Sequence, residues 1–90
     1  MKIKSSLVLR QVVNVWLVVP LITDSRSECL MKLNETGAML WKLLEQGAEL
    51  PMLAEALVKE YEIPYDQALG DAQRFVDKLI QADCLEANAQ

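Results

Sequence analysis

The sequence predicts an α+β fold in which a three-stranded antiparallel sheet comes first and three helices follow. Two observations predict this order: apolar residues alternate in the first third of the chain, and from Asn34 onward they recur with a helical period. Length adds a third. Ninety residues are expected to form one domain, 1–90, because separate cores usually need about 100 residues apiece. With 52% hydrophobic and 24% charged residues the composition is that of a soluble globular protein, not a disordered one. So small a chain commands roughly 5 to 10 kcal/mol of stability, which leaves no slack for a large buried active site.

A short run from Leu7 to Gln11 opens the sheet. From Val12 to Pro20, Val13, Val15, Leu17 and Val19 share one face while Val12, Asn14, Trp16 and Val18 share the other, and the β-branched content favours strand over helix. Asn14 or its neighbours give the first turn signal and Thr23-Asp24-Ser25-Arg26-Ser27 the second, leaving Glu28 to Leu33 as the third strand. Pro20 has no N–H to donate, so it belongs at a strand end or on an edge.

Asn34 is a good N-cap, Glu35 and Thr36 suit a first turn, and Gly47 stands where a chain leaves a helix, which predicts a first helix over about 35–46. Its residues Leu40, Trp41, Leu43 and Leu44 cover about 160° of the circumference, the mark of a central helix, with Lys42, Glu45 and Gln46 on the wet side. A second helix over about 50–61 turns Leu50, Leu53, Ala54, Leu57, Val58 and Tyr61 inward, and Ile63-Pro64 breaks it. The third, from about Asp66 to Ala82, has a wide stripe of Ala68, Leu69, Ala72, Phe75, Val76, Leu79, Ile80 and Ala82, bordered on one side by Arg74 and Lys78 with Asp71 between them. Either the small core encloses that whole stripe or a partner covers part of it. A sheet of three strands with three helices is the winged helix-turn-helix-like layout, with the wing placed first. A fold alone names no ligand.

Charge and residue types exclude much. The chain has no histidine, the commonest general base and metal ligand, and no glycine-rich phosphate loop. Neither a catalytic site nor a cofactor or metal site can be written. Cys29 and Cys84 lie too far apart for a metal clip, and both sit among apolar neighbours as reduced core cysteines do, a single disulfide being the alternative. A cytoplasmic protein is expected. The longest uncharged stretch, Gln11 to Thr23, is shorter than the ~20 residues of a spanning helix, so no membrane partner is expected. Residues 1–33 carry five bases and two acids, whereas residues 34–90 carry four bases and eleven acids. The acidic helices oppose phosphate contacts, which weighs against a winged-helix DNA-binding transcriptional regulator, the alternative function that the layout raises.

The most specific run is Leu33 to Leu44, LNETGAMLWKLL, in which a strand ending in Leu-Asn meets a helix containing a Gly and then a Trp. It resembles the PqqD-like family, the RiPP recognition elements. The segments Leu7 to Leu21 and Leu53 to Glu86 are similar to that family's first strands and its later helices, so the likeness covers nearly the whole chain. Asp83 stands where the family often has Gly, and the loop between the second and third strands is short.

The resemblance implies a non-catalytic peptide chaperone of natural product biosynthesis. Such a module binds the leader of a ribosomally made precursor peptide and presents it to a modifying enzyme, often a radical SAM (S-adenosylmethionine) protein. It also implies where the leader adds: as a strand along the third strand, against the third helix. Carried to this sequence, backbone groups of Cys29, Leu30, Met31 and Lys32 would pair with the peptide, and Phe75, Leu79 and Ala82 would floor the groove. Lys32, Arg74 and Lys78 would hold acidic leader side chains. A free-standing adaptor is expected, with a structural subunit of an enzyme complex as a further reading.

Overall fold

The computed structural model describes residues 1–20 and 31–86. Strands β1 (Leu7–Val12) and β2 (Val15–Pro20) form an antiparallel hairpin whose register runs from Leu7 opposite Pro20 to Val12 opposite Val15. That leaves Val13 and Asn14 as the turn, with Val13 at φ 57°. A branched Cβ is costly there, and Val13 projects into solvent at 83% exposure. The first turn signal, read at Asn14 or its neighbours, falls on the turn itself, and the alternation read from Val12 is interrupted there because the turn takes Val13 and Asn14 out of the pleat. Strand β3 (Met31–Leu33) pairs antiparallel with β2, setting Trp16 opposite Leu33 and Val18 opposite Met31, and the sheet order is β1-β2-β3. The expected turn at Thr23 to Ser27, and the expected strand residues Glu28, Cys29 and Leu30, lie outside the described residues.

The sheet shows one face to the helices. Val18 is fully buried and Trp16 and Met31 pack against the core. Helix α1 (Glu35–Glu45) starts as its sequence dictates: the Asn34 side chain accepts a 2.8 Å bond from the Gly37 N–H, satisfying one of the first-turn donors. Gly47 leaves it at φ 94°. Trp41 and Leu44 are wholly enclosed, and the Trp41 indole N–H donates to Glu45 at 3.0 Å, so the buried ring keeps its polar edge satisfied.

Helix α2 (Leu50–Tyr61) carries Pro51 in its first turn and ends on Glu62, which adopts a left-handed conformation at φ 54° and ψ 44°. The chain thus leaves the helix at Glu62, before Pro64. Pro64 instead caps helix α3 (Tyr65–Gln81), which packs along α2 and buries Ala68, Ala72, Val76 and Leu79. Ile80, expected on the apolar stripe, is 58% exposed, since it lies at the far border of an arc wider than the core can cover.

The two ends of the described chain close the core together. Residue Ile3 bridges Leu85, its N–H donates to the Leu44 carbonyl, and Lys4 N–H donates to the Cys84 carbonyl. Asp83, at φ 59°, is held by an ion pair with Lys4 at 2.8 Å. Cys84 is a free, fully buried thiol. Burial pushes its pKa up, with Lys4 drawing it down and Asp83 adding to the rise. Among the described residues no helix is long and apolar enough to cross a membrane, and no cluster of His, Cys, Asp and Glu has the makings of a metal site.

Candidate functional site

Two consecutive turns of sequence build one wall of a cavity. β3 ends at Leu33 and Asn34 caps α1, so the strand and the first turn of the helix meet at a corner one residue long. The opposite wall is α3, where Asp71, Arg74, Phe75 and Lys78 fall at spacings of three and four that share one face. Between the walls lies a cavity of about 400 Å³, with Gly37, Leu40 and Leu57 at its base and Lys32 and Thr36 on its rim.

Gly37 explains how the walls come together. A Cβ placed on it would stand 3.2 Å from Cε1 of Phe75, 3.3 Å from Cβ of Leu33 and 3.4 Å from the Asn34 side-chain oxygen. Only a residue without a side chain lets the Phe75 ring lie this close to the start of α1. Phe75 is half-buried, anchored on the core while keeping part of its ring open to the cavity. The Thr36 hydroxyl donates to the Tyr61 hydroxyl oxygen at 2.8 Å and ties this corner to the end of α2.

The electrostatics are those of exposed groups on one helix face. Arg74 forms an ion pair with Asp71 one turn back, and Lys78 follows one turn on. The carboxylates Asp66 and Asp77 are carried on the same helix, with Asp77 accepting a bond from the Gln73 amide at 2.8 Å. Among the described residues every buried side-chain nitrogen and oxygen has a hydrogen-bond partner.

The structure brings four of the residues singled out from the sequence to this cavity: Lys32, Arg74, Phe75 and Lys78. Leu79 does not reach it. It is fully enclosed in the core, because the face of α3 that meets α2 takes it, and the cavity base is formed instead by Gly37, Leu40 and Leu57. Ala82 is the C-cap of α3 and Met31 is a half-buried residue on the core side of β3; neither lines the cavity. Lys32 pairs with Leu17, on the face of the sheet turned away from Leu33, and lies across the cavity from the two cations of α3. Cys29 and Leu30 lie outside the described residues. Sequence reasoning missed Gly37, Thr36 and Asp71 as cavity residues, although the first two stand inside the Leu-Asn-Glu-Thr-Gly run that marked this corner.

A family model described as coenzyme PQQ synthesis protein D (PqqD) matches residues 21–85. The chain belongs to the PqqD family. The match takes in β3, the corner, all three helices and thus every described residue of the cavity, and leaves the β1–β2 hairpin outside. A solved structure of TbiB1 in complex with the TbiA(beta) leader peptide is similar over 100% of both chains, with a TM-score of 0.77 and 23% sequence identity. At that identity the likeness establishes the fold, and it extends the PqqD-like architecture to the hairpin. No curated protein matches the chain. Neither finding points toward a DNA-binding regulator.

Proposed function

We propose that this PqqD-family chain is a non-catalytic adaptor that captures the leader segment of a ribosomally synthesised precursor peptide. The observation that carries this reading is the cavity between the end strand β3 and α3, floored at the Phe75–Gly37 contact, in a fold whose solved neighbour was determined with a leader peptide. β3 ends the sheet order among the described residues, and a peptide strand laid beside it would gain backbone pairing there, with its side chains over Phe75. The segment Cys29 to Lys32 would supply that pairing. Lys32, Arg74 and Lys78 would favour acidic side chains on the leader. The captured peptide is then presented to a separate modifying enzyme, such as a radical SAM protein, in the cytoplasm. The adaptor itself needs no metal, cofactor or nucleic acid.

A peptide that orders into a strand gives up about 2 to 5 kcal/mol, so backbone pairing and apolar anchoring are both required. Calorimetric titration with the leader region of a candidate precursor peptide, chosen from short reading frames near this gene, tests both. Phe75→Ala is expected to weaken binding at least tenfold while the fold is retained, and N-methylation of alternate leader amides is expected to abolish it. Full affinity for the N-methylated leader would mean that no strand is added. A change in leader mass on incubation with this chain alone would overturn the non-catalytic reading.

A further inference from the structure

One wall of the cavity holds a charge arrangement that affinity for an acidic peptide does not by itself explain. Asp71, Arg74 and Lys78 all line it, and the Arg74 guanidinium donates through Nη2 to Oδ1 of Asp71. Its second nitrogen, Nη1, lies 3.8 Å from the place a Cβ of residue 70 would occupy, an ordinary contact, so the arginine lies folded back along α3 over Gly70. The arginine side chain is 75% exposed and that of Asp71 36%, so the pair is open to exchange with solvent and ligand. Lys78 makes no ion pair among the described residues. Asp71 therefore occupies the one guanidinium that lines the cavity among the described residues, the group best shaped to grip a carboxylate with two parallel bonds.

We propose that Asp71 is an internal competitor that sets the selectivity of the groove, exchanged for an acidic side chain of the bound strand. The inference rests on the peptide-binding reading above and adds a residue and a sign to it. An acidic ligand releases Asp71 to water and takes Arg74, with Lys78 one turn away reinforcing the same charge. A neutral ligand leaves the Asp71–Arg74 pair in place and gains nothing from it. Exposed pairs of this kind are weak enough to be exchanged and strong enough to compete.

A displayed library of random short peptides, selected on the wild-type chain, supplies the probe. The tightest binder that carries Asp or Glu, and its counterpart with Asn or Gln at those positions, are then titrated against wild type, Asp71→Asn, Arg74→Gln and the double variant. Asp71→Asn is expected to tighten the acidic probe about two- to fivefold at low salt, with a smaller gain at about 0.5 M salt. The neutral counterpart is expected to bind both proteins equally, and Arg74→Gln is expected to cancel the gain in the double variant. Both residues are surface side chains, so unchanged melting curves accompany these values. An acidic probe that binds Asp71→Asn equally or more weakly overturns the proposal, as does an equal gain for the neutral probe or a selected pool devoid of Asp and Glu. Those results would leave Asp71 with no part in selectivity and the adaptor reading intact; a library from which nothing binds the wild-type chain would remove the adaptor reading itself.

Discussion

Replacing Gly37 by alanine sets two known effects against each other at the point where β3, α1 and α3 meet. A glycine in a helix costs up to about 1 kcal/mol relative to alanine, less in the first turn where Gly37 stands, so a side chain there brings a small intrinsic gain. Against it, the new Cβ would stand 3.2 Å from the Phe75 ring edge and 3.3 Å from Cβ of Leu33. Leu33 is buried and bound into the sheet, so Phe75 must give way. Overpacking of this kind costs about 1 to 3 kcal/mol, which exceeds the gain. Gly37→Ala is therefore expected to lose up to about 2 kcal/mol, a fall in melting temperature of roughly 4 to 8 °C per kcal/mol, and to weaken leader binding by shifting the anchor. Thermal melts of Gly37→Ala, Phe75→Leu and the double variant isolate the contact, because leucine has no atom where Cε1 stands. The alanine should cost less in the Phe75→Leu background than beside the native ring, with a coupling of about 0.5 kcal/mol or more. A Gly37→Ala variant that melts above wild type, with no coupling to residue 75, would refute the reasoning.

Three further outcomes follow from the same structure. Trp41 is wholly buried, so Trp41→Ala is expected to cost about 3 to 5 kcal/mol and to leave little or no folded protein by circular dichroism. Glu62→Gly removes the left-handed penalty at the end of α2, partly offset by the greater freedom of glycine in the unfolded chain, and is expected to raise stability by about 0.5 to 1 kcal/mol in urea unfolding. Because burial raises the pKa of Cys84 in the folded state, its contribution to stability is full below the ordinary thiol value of about 8.5 and declines as pH rises through the folded value. Melting between about pH 7 and pH 10 should thus fall more steeply for wild type than for Cys84→Ala.

Helix boundaries were legible in the sequence where the signals are local. Asn34 and Gly47 bracket α1, and the bounds expected for α2 are those observed, because caps and amphipathic period act within a few residues of the chain. The strand faces were legible only in part. Asn14 signals the first turn, but the alternation of Val12 to Pro20 runs across it, and valine gives no warning that Val13 will accept a positive φ. The cavity between β3 and α3 was legible in part as side chains: Lys32, Arg74, Phe75 and Lys78 line it, and Leu79 does not. Whether Leu79 or Phe75 faces the cavity depends on how α3 rotates against α2, and the stripe on α3 is too wide to settle that rotation. Gly37 escaped notice as a packing residue because its importance lies in a neighbour far along the sequence, at Phe75. Asp71 reads as one more solvated acid until Arg74 is found folded back upon it.

The most direct measurement is a nuclear magnetic resonance titration of the isotope-labelled chain with a leader peptide that binds it by calorimetry, read through amide shifts and intermolecular contacts. Capture between β3 and α3 requires the largest shifts at Lys32, Leu33, Gly37, Phe75 and Lys78, with strand-type contacts between leader amides and β3 and the tip of the β1–β2 hairpin unmoved. Shifts confined to the hairpin around Val12 to Val15, with the amides of Gly37 and Phe75 unchanged at saturation, would contradict it.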